Sequence, residues 1–221
     1  GARLAVRTIN DAGGVRGADG TTFMLNLIVE PSNFGLSLEA AVDTLLTANL
    51  IAVLGPETNE EVLDGMEQLQ RLDVPVITPA TGDTIITSDA TGMLFRSRAA
   101  DALQGQSLAN YLINEFSLRD IATVQLDIAS TAKMIGFTTA AAALGVSPEP
   151  AEILQDPNEL TNTIIELLEV NPAVIVAYGS PALAATLYIG MRSGDWEGLF
   201  AYDQAFDPNF RTVVPFEQLS G

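Results

Sequence analysis

Residues 51–83 read IAVLGPETNEEVLDGMEQLQRLDVPVITPATGD, and their order of apolar runs and breaks decides the fold. The short run Ile51-Ala52-Val53-Leu54 ends at Gly55-Pro56, as a buried strand ends at a turn. Asn59 to Leu72 carries apolar residues at helical spacing behind Thr58 and Glu61, a pairing that reads as a capping box. Val74 to Thr78 is a second strand, followed by the loop Pro79-Ala80-Thr81-Gly82-Asp83. A strand, a helix and a strand in this order imply parallel strands joined by a right-handed crossover.

Working outward, residues 2–11 (ARLAVRTIND) predict a helix that stops at Gly13-Gly14. Thr22 to Glu30 predicts a strand and Leu36 to Asn49 a helix, so the first part of the chain alternates β-α-β-α-β. The stretch from Ala80 to Arg98 is less regular and ends in Met93-Leu94-Phe95-Arg96, which reads as a crossover. A second alternation follows: helices over Ala102 to Phe116, Thr131 to Leu144, Asn158 to Val170 and Ala182 to Arg192, and strands at Ile121 to Leu126, Ala151 to Leu154, Ala173 to Tyr178 and Leu199 to Ala201. The fold class is α/β, with parallel sheets flanked by helices in two successive units of similar build.

Composition narrows the function. The chain has 28 acidic and 10 basic residues, a formal charge of −18 over 221 residues, so it lacks the phosphate-neutralising surface that nucleic-acid or anionic-membrane binding requires. With no cysteine and no histidine, disulfides, thiolate chemistry, the common zinc sets and histidine-based acid–base catalysis are all excluded. The chargeless stretch Pro172 to Met191 is long enough to be weighed as a membrane helix, but Gly179-Ser180-Pro181 divides it into a β-rich run and a helical one. Gly13-Gly14 and Gly17-Ala18-Asp19-Gly20 follow a helix and precede a strand, the reverse of a phosphate loop, and read as turns. Asp195 and Glu197 lack the spacing of a calcium loop and read as surface charge.

Four segments, in order, carry a resemblance: GARLAVRTINDAGGVRG (1–17), the 51–83 stretch, MLFRSRAADALQGQSLANYL (93–112) and LFAYDQAFDP (199–208). Together they resemble the substrate-binding components of branched-chain amino-acid ABC transporters. The resemblance implies a two-lobed type I periplasmic-binding-protein fold, incomplete at both ends, with a first strand and ligand loop expected before residue 1 and further chain beyond residue 221. It implies an N-terminal lobe over 1–95, a C-terminal lobe over 96–203, and a return of 204–221 toward the N-terminal lobe, with a hinge near Arg96 to Ala99. It implies binding of a small polar solute, an amino acid or related amine, in a periplasmic or extracellular setting, with a permease or sensor as partner and a lipid anchor as one option upstream. Neither enzyme activity nor a cofactor or metal is expected, and a ligand-free structural or interaction domain of the same fold is the alternative.

The resemblance also nominates residues. Glu57, Thr58 and Asn59 lie at a helix entrance suited to an anion, Asn59 standing at the family's carboxylate-binding serine; capping alone and capping with binding both remain open there. Ala80 stands at a backbone donor, and Gly82 at a position where the family has a threonine, leaving neighbouring Thr81 as a substitute hydroxyl. Glu57 is the acid expected to select a neutral or cationic ligand. Asp203 stands at the acid that pairs with a ligand's α-ammonium, with Tyr202 beside it, and Tyr178 ends a strand at a further ligand loop.

Overall fold

The computed structural model describes residues 1–30, 37–153 and 159–215. It divides the chain into two compact units, one of residues 1–80 with 85–97, the other of residues 81–84 with 98–221.

Unit 1 opens with helix α1 (Ala2–Asp11), as the apolar spacing predicts, and the chain reverses through Gly13 and Gly14, both at positive φ. A Cβ on Gly14 would lie 2.3 Å from the Phe23 carbonyl oxygen, so the turn requires glycine for space as well as for conformation. The predicted strand over Thr22 to Glu30 is largely absent. Only β2 (Thr22–Phe23) forms, and it pairs antiparallel with β1 (Val15–Arg16) instead of joining the parallel sheet. Leu25 is tied instead to the Asn10 side chain, its N–H donating to Oδ1 at 2.8 Å and its C=O accepting from Nδ2 at 2.9 Å. Local side-chain bonding thus takes the backbone groups that a ladder would use.

The rest of unit 1 contains α2 (Leu38–Leu45), β3 (Val53–Leu54), α3 (Asn59–Asp64), α4 (Met66–Gln70), β4 (Val76–Thr78), α5 (Ile85–Ser88) and β5 (Leu94–Arg96). The three strands form a parallel sheet in the order β3-β4-β5. The single helix expected over 59–72 is two helices, broken at Gly65, where a Cβ would meet Leu38 Cδ2 of α2 at 1.9 Å. The expected crossover at 93–96 is itself the strand β5. A core of Val42, Val62, Leu69, Val76, Ile85 and Leu94 holds this unit. Of the helix predicted over 36–49, residue 36 lies outside the described residues.

Unit 2 contains α6 (Asp101–Asn110), continued by a π-helical turn (Tyr111–Glu115), then β6 (Ile121–Gln125), α7 (Thr131–Ala143), β7 (Glu149–Ile153), α8 (Glu159–Val170), β8 (Val174–Tyr178), α9 (Pro181–Ser193), β9 (Leu199–Tyr202) and α10 (Pro208–Arg211). Its sheet has the order β7-β6-β8-β9 and is parallel throughout. Both central strands are buried along their whole length, as strands covered by helices on both faces must be. Their alternation sorts the side chains. Ile175 and Ala177 pack with Leu160, Leu187 and Met191 of α8 and α9, whereas Val174, Val176 and Tyr178 pack with Ala109, Phe137 and Ala141 of α6 and α7.

Residues 204–215 pack within unit 2, where Phe210 and Val214 are fully buried against Tyr188 and its neighbours. Phe210 belongs to an aromatic group with Tyr188 and Tyr202, at centroid distances of 6.5 and 5.1 Å. Residues 154 and 158, at predicted element ends, and 216–221 lie outside the described residues. The 172–191 stretch is β8, a turn and α9, and among the described residues no helix is long and apolar enough to cross a membrane.

Candidate functional site

In parallel α/β sheets, the loops beyond the carboxyl ends of the strands are free to hold a ligand. In unit 1 these loops hold Glu57, Thr58, Asn59 and Ala80. The capping box is formed: Glu61 N–H donates to Thr58 Oγ1 at 3.2 Å, and Thr58 N–H donates to Glu61 Oε2 at 3.3 Å. Capping is therefore real, and it already occupies one of the amides of the first turn. Glu57 and Thr58 are exposed and Asn59 is half-buried. Ala80 is buried, and its N–H donates to Thr78 Oγ1 at 3.0 Å, while that hydroxyl donates to the Pro56 carbonyl at 2.6 Å. The backbone donor assigned to Ala80 is consumed by its own strand end.

Thr81 and Gly82 fall in unit 2, where the 81–84 segment closes the N-terminus of α6. Asp101 N–H donates to the Thr81 carbonyl at 2.9 Å and Ala102 N–H to Asp83 Oδ2 at 3.3 Å. This satisfies the first amides of a helix whose N-cap residue, Ala100, has no side chain able to do so.

The remaining nominees come together at the carboxyl edge of the unit 2 sheet. Tyr178 ends β8, Tyr202 ends β9 in register with Ala177, and Asp203 follows. The Tyr202 hydroxyl donates to the Gly179 carbonyl at 2.7 Å, and Gln204 Nε2 donates to the same oxygen at 3.3 Å. Gly179 has φ 116°, and a Cβ there would lie 2.8 Å from the Asp127 backbone nitrogen, so the loop closes only around glycine.

Two residues that the sequence reading did not nominate complete the group. Lys133 Nζ lies 2.5 Å from Asp203 Oδ2 and 3.9 Å from Asp101 Oδ1, and the side chains of Lys133, Asp203 and Asp101 are 13%, 20% and 5% exposed. Asp203 Oδ2 is therefore already paired with a cation from within the chain, where the resemblance implies a ligand ammonium. One signal pointed to Lys133: it is the only lysine in a sequence whose other nine basic residues are arginine.

Asp101 Oδ1 and the Tyr178 hydroxyl are buried and make no hydrogen bond. Burial pushes the Tyr178 phenol above its usual range, with the Asp203 charge adding to it. Tyr202 moves the same way, first through burial and then through Asp203, Asp207 and Asp127. Both are neutral hydroxyls at neutral pH; Tyr178 has its donor and acceptor capacity unused, whereas Tyr202 donates to the Gly179 carbonyl. Among the described residues, no group of three or more acidic side chains is placed to hold a metal ion.

No protein-family model matches the sequence, and no curated protein does. Solved structures do. The branched-chain amino-acid transporter substrate-binding protein LivJ from Streptococcus pneumoniae, in complex with isoleucine, superposes over 98% of this chain with a TM-score of 0.71 at 20% identity. A branched-chain amino-acid ABC transporter protein from Rhodospirillum rubrum matches over 96% with a TM-score of 0.75 at 18% identity. The chain has the type I periplasmic-binding-protein fold. A more distant member of that fold, a solute-binding protein from R. palustris in complex with 4-hydroxybenzoate, matches over 74% of the chain with a TM-score of 0.59 at 12% identity. The chain spans 62%, 61% and 46% of the length of these three proteins.

Proposed function

We propose that this chain is the ligand-recognising part of an extracytoplasmic solute-binding protein, that it serves an ABC-type permease or a sensor, and that it has no catalytic role. The observation that carries the reading is the set of polar side chains gathered at the carboxyl edge of the unit 2 sheet: Tyr178, Tyr202, Asp203, Lys133 and Asp101. Of these, the Tyr178 hydroxyl and Asp101 Oδ1 are buried without a hydrogen-bond partner; such groups are costly, and a bound solute that engages them offsets the cost. Support comes also from the fold, since proteins that share it are described in complex with isoleucine and with 4-hydroxybenzoate. Glu57, Thr58 and Asn59 of unit 1 and Thr81 and Gly82 of unit 2 are further ligand contacts under this reading. The ligand is a small polar solute, and the amino-acid expectation rests on Asp203.

The closed Lys133–Asp203 pair favours a second reading, a domain that keeps the fold without a solute. Thermal unfolding of the full chain against a panel of amino acids, hydroxy and oxo acids, aromatic acids, amides and polyamines separates the two. A ligand present at a hundred times its Kd adds about 2.7 kcal/mol of stability, which moves the transition by several degrees. A panel without any shift leaves only the second reading.

A further inference from the structure

We infer that Lys133 stands in for a ligand ammonium, so that the solute recognised at this edge presents an uncharged oxygen, a hydroxyl or carbonyl, and no amino group. This rests on the solute-binding reading and names the ligand class within it.

Asp203 stands where the resemblance expects an acid that captures an amine, yet its Oδ2 is 2.5 Å from Lys133 Nζ, with the two side chains 20% and 13% exposed. A ligand ammonium would have to displace that contact or share the carboxylate, in either case bringing a second cation within a few ångströms of Nζ, where the two repel. A neutral oxygen meets no such obstacle. An ammonium group carries three protons, and the one directed at Asp203 leaves others to donate. The buried Tyr178 hydroxyl, close enough to Asp203 to feel its charge, has both its donor and its acceptor capacity unused. Lysine and tyrosine together therefore offer donors to a ligand oxygen, and Tyr178 or Asp101 Oδ1 accepts from a ligand hydroxyl.

The position of Lys133 is fixed by backbone, not by a flexible surface. Helices α6 and α7 approach so closely that a Cβ on Gly105 would lie 2.0 Å from the Lys133 carbonyl oxygen, and one on Gly136 2.1 Å from that of Ala102. Lys133 and Asp101 are thus held at adjoining first turns. Lys133, the chain's only lysine, meets two acids here, Asp203 at 2.5 Å and Asp101 at 3.9 Å.

The test is calorimetric titration of the full chain with matched probes: alanine, lactate and pyruvate; leucine, 2-hydroxy-4-methylpentanoate and 4-methyl-2-oxopentanoate; phenylalanine and 3-phenyllactate. Within at least one set, the oxygen-bearing probe is expected to bind about tenfold or more tighter than its amino partner, the worth of one charge-assisted hydrogen bond. Lys133→Gln, which keeps a donor but frees Asp203, is expected to shift that ratio toward the amino probe by a similar factor. A second measurement needs no variant. The Lys133 ammonium gives the only lysine side-chain nitrogen resonance of the protein, and it should persist when the oxygen-bearing probe binds. Tighter binding of an amino probe by the unmodified protein, a ratio unmoved by Lys133→Gln in a folded variant, or loss of the ammonium signal to solvent on binding overturns this inference and leaves solute binding standing. A folded protein that binds no probe of any class in the wider thermal panel overturns both.

Discussion

Replacing Gly105 or Gly136 by alanine perturbs the contact that positions Lys133, and its cost can be worked from the backbone. A Cβ at Gly105 would sit 2.0 Å from the Lys133 carbonyl oxygen and 2.7 Å from the Phe137 nitrogen; one at Gly136 would sit 2.1 Å from the Ala102 carbonyl oxygen. These obstacles are main-chain atoms of the facing helix and cannot rotate away, so α6 and α7 must separate by about an ångström, giving up the dispersion contacts they share. Overpacking of this kind costs about 1–3 kcal/mol and more where backbone must move, against about 1 kcal/mol gained because alanine is the better helix former. Taking the upper end of that cost, since main-chain atoms must move, the net expectation is a loss of about 2 kcal/mol, a fall of roughly 4–8 °C in melting temperature for a chain of this size. Gly190→Ala is the control. Its new methyl meets Ile164 Cδ1 at 2.5 Å, the movable tip of a side chain, so the propensity gain offsets the crowding and stability stays within about 1 kcal/mol of the parent. Urea and thermal unfolding of the three variants measure this. If Gly105→Ala and Gly136→Ala match the parent, or Gly190→Ala falls as far as they do, the close crossing of α6 and α7 is wrong.

The two tyrosines at the sheet edge should respond oppositely to loss of their hydroxyls. Tyr202→Phe removes the bond to the Gly179 carbonyl and should cost about 0.5–1.5 kcal/mol, whereas Tyr178→Phe removes a buried hydroxyl without a partner and should leave stability level or raised while weakening ligand binding. Burial raises both phenols from an ordinary value of 10.0, so the unfolded chain releases these protons first; stability is retained below about pH 10 and lost as pH rises beyond it, and Tyr178→Phe should flatten that alkaline limb in urea titrations. Thr58→Ala dismantles the capping box at α3 and should cost about 0.5–2 kcal/mol in denaturant unfolding, with Thr58→Ser near neutral. Burial pushes the Asp89 carboxyl up, but bonds from the Thr91 hydroxyl, the Leu94 and Thr91 amides and Gln70 outweigh it and hold the group below 3.8. Its contribution is therefore present above about pH 4 and lost on acidification, and Asp89→Ala should remove that acid limb.

The parts of the fold that sequence periodicity reached are those in which local pattern and tertiary burial demand the same thing. Strand β8 is apolar at every position because helices cover both faces of the sheet, and α9 begins at Pro181 behind a serine cap, so strand, turn and helix were legible from residues 173–192. The run 22–30 failed for the opposite reason. Its alternation suits a strand, but a strand exists only if a neighbour supplies a ladder, and here the Asn10 side chain takes the groups of Leu25. The need for glycine at 65, between α3 and α4, is invisible to periodicity because the side chain that crowds the position is Leu38, on another helix.

The candidate site divides in the same way. Tyr178, Tyr202 and Asp203 could be named because strand ends and the loops after them are local features, readable once the strands are. That the Ala80 amide is engaged was not legible, because whether a backbone amide is free depends on a hydroxyl two residues earlier that turns back onto it, a choice between local partners that residue identity does not determine. Lys133 was missed because its meaning lies in pairing across 70 residues of chain with Asp203 and across the α6–α7 contact with Asp101. The same pairing alters what Asp203 means. An acid at that position reads as an amine receptor only while its charge is unbalanced; with Lys133 2.5 Å away, the neighbourhood already contains a cation, which is the ground on which we propose that the Tyr178 hydroxyl and the remaining ammonium protons select the ligand.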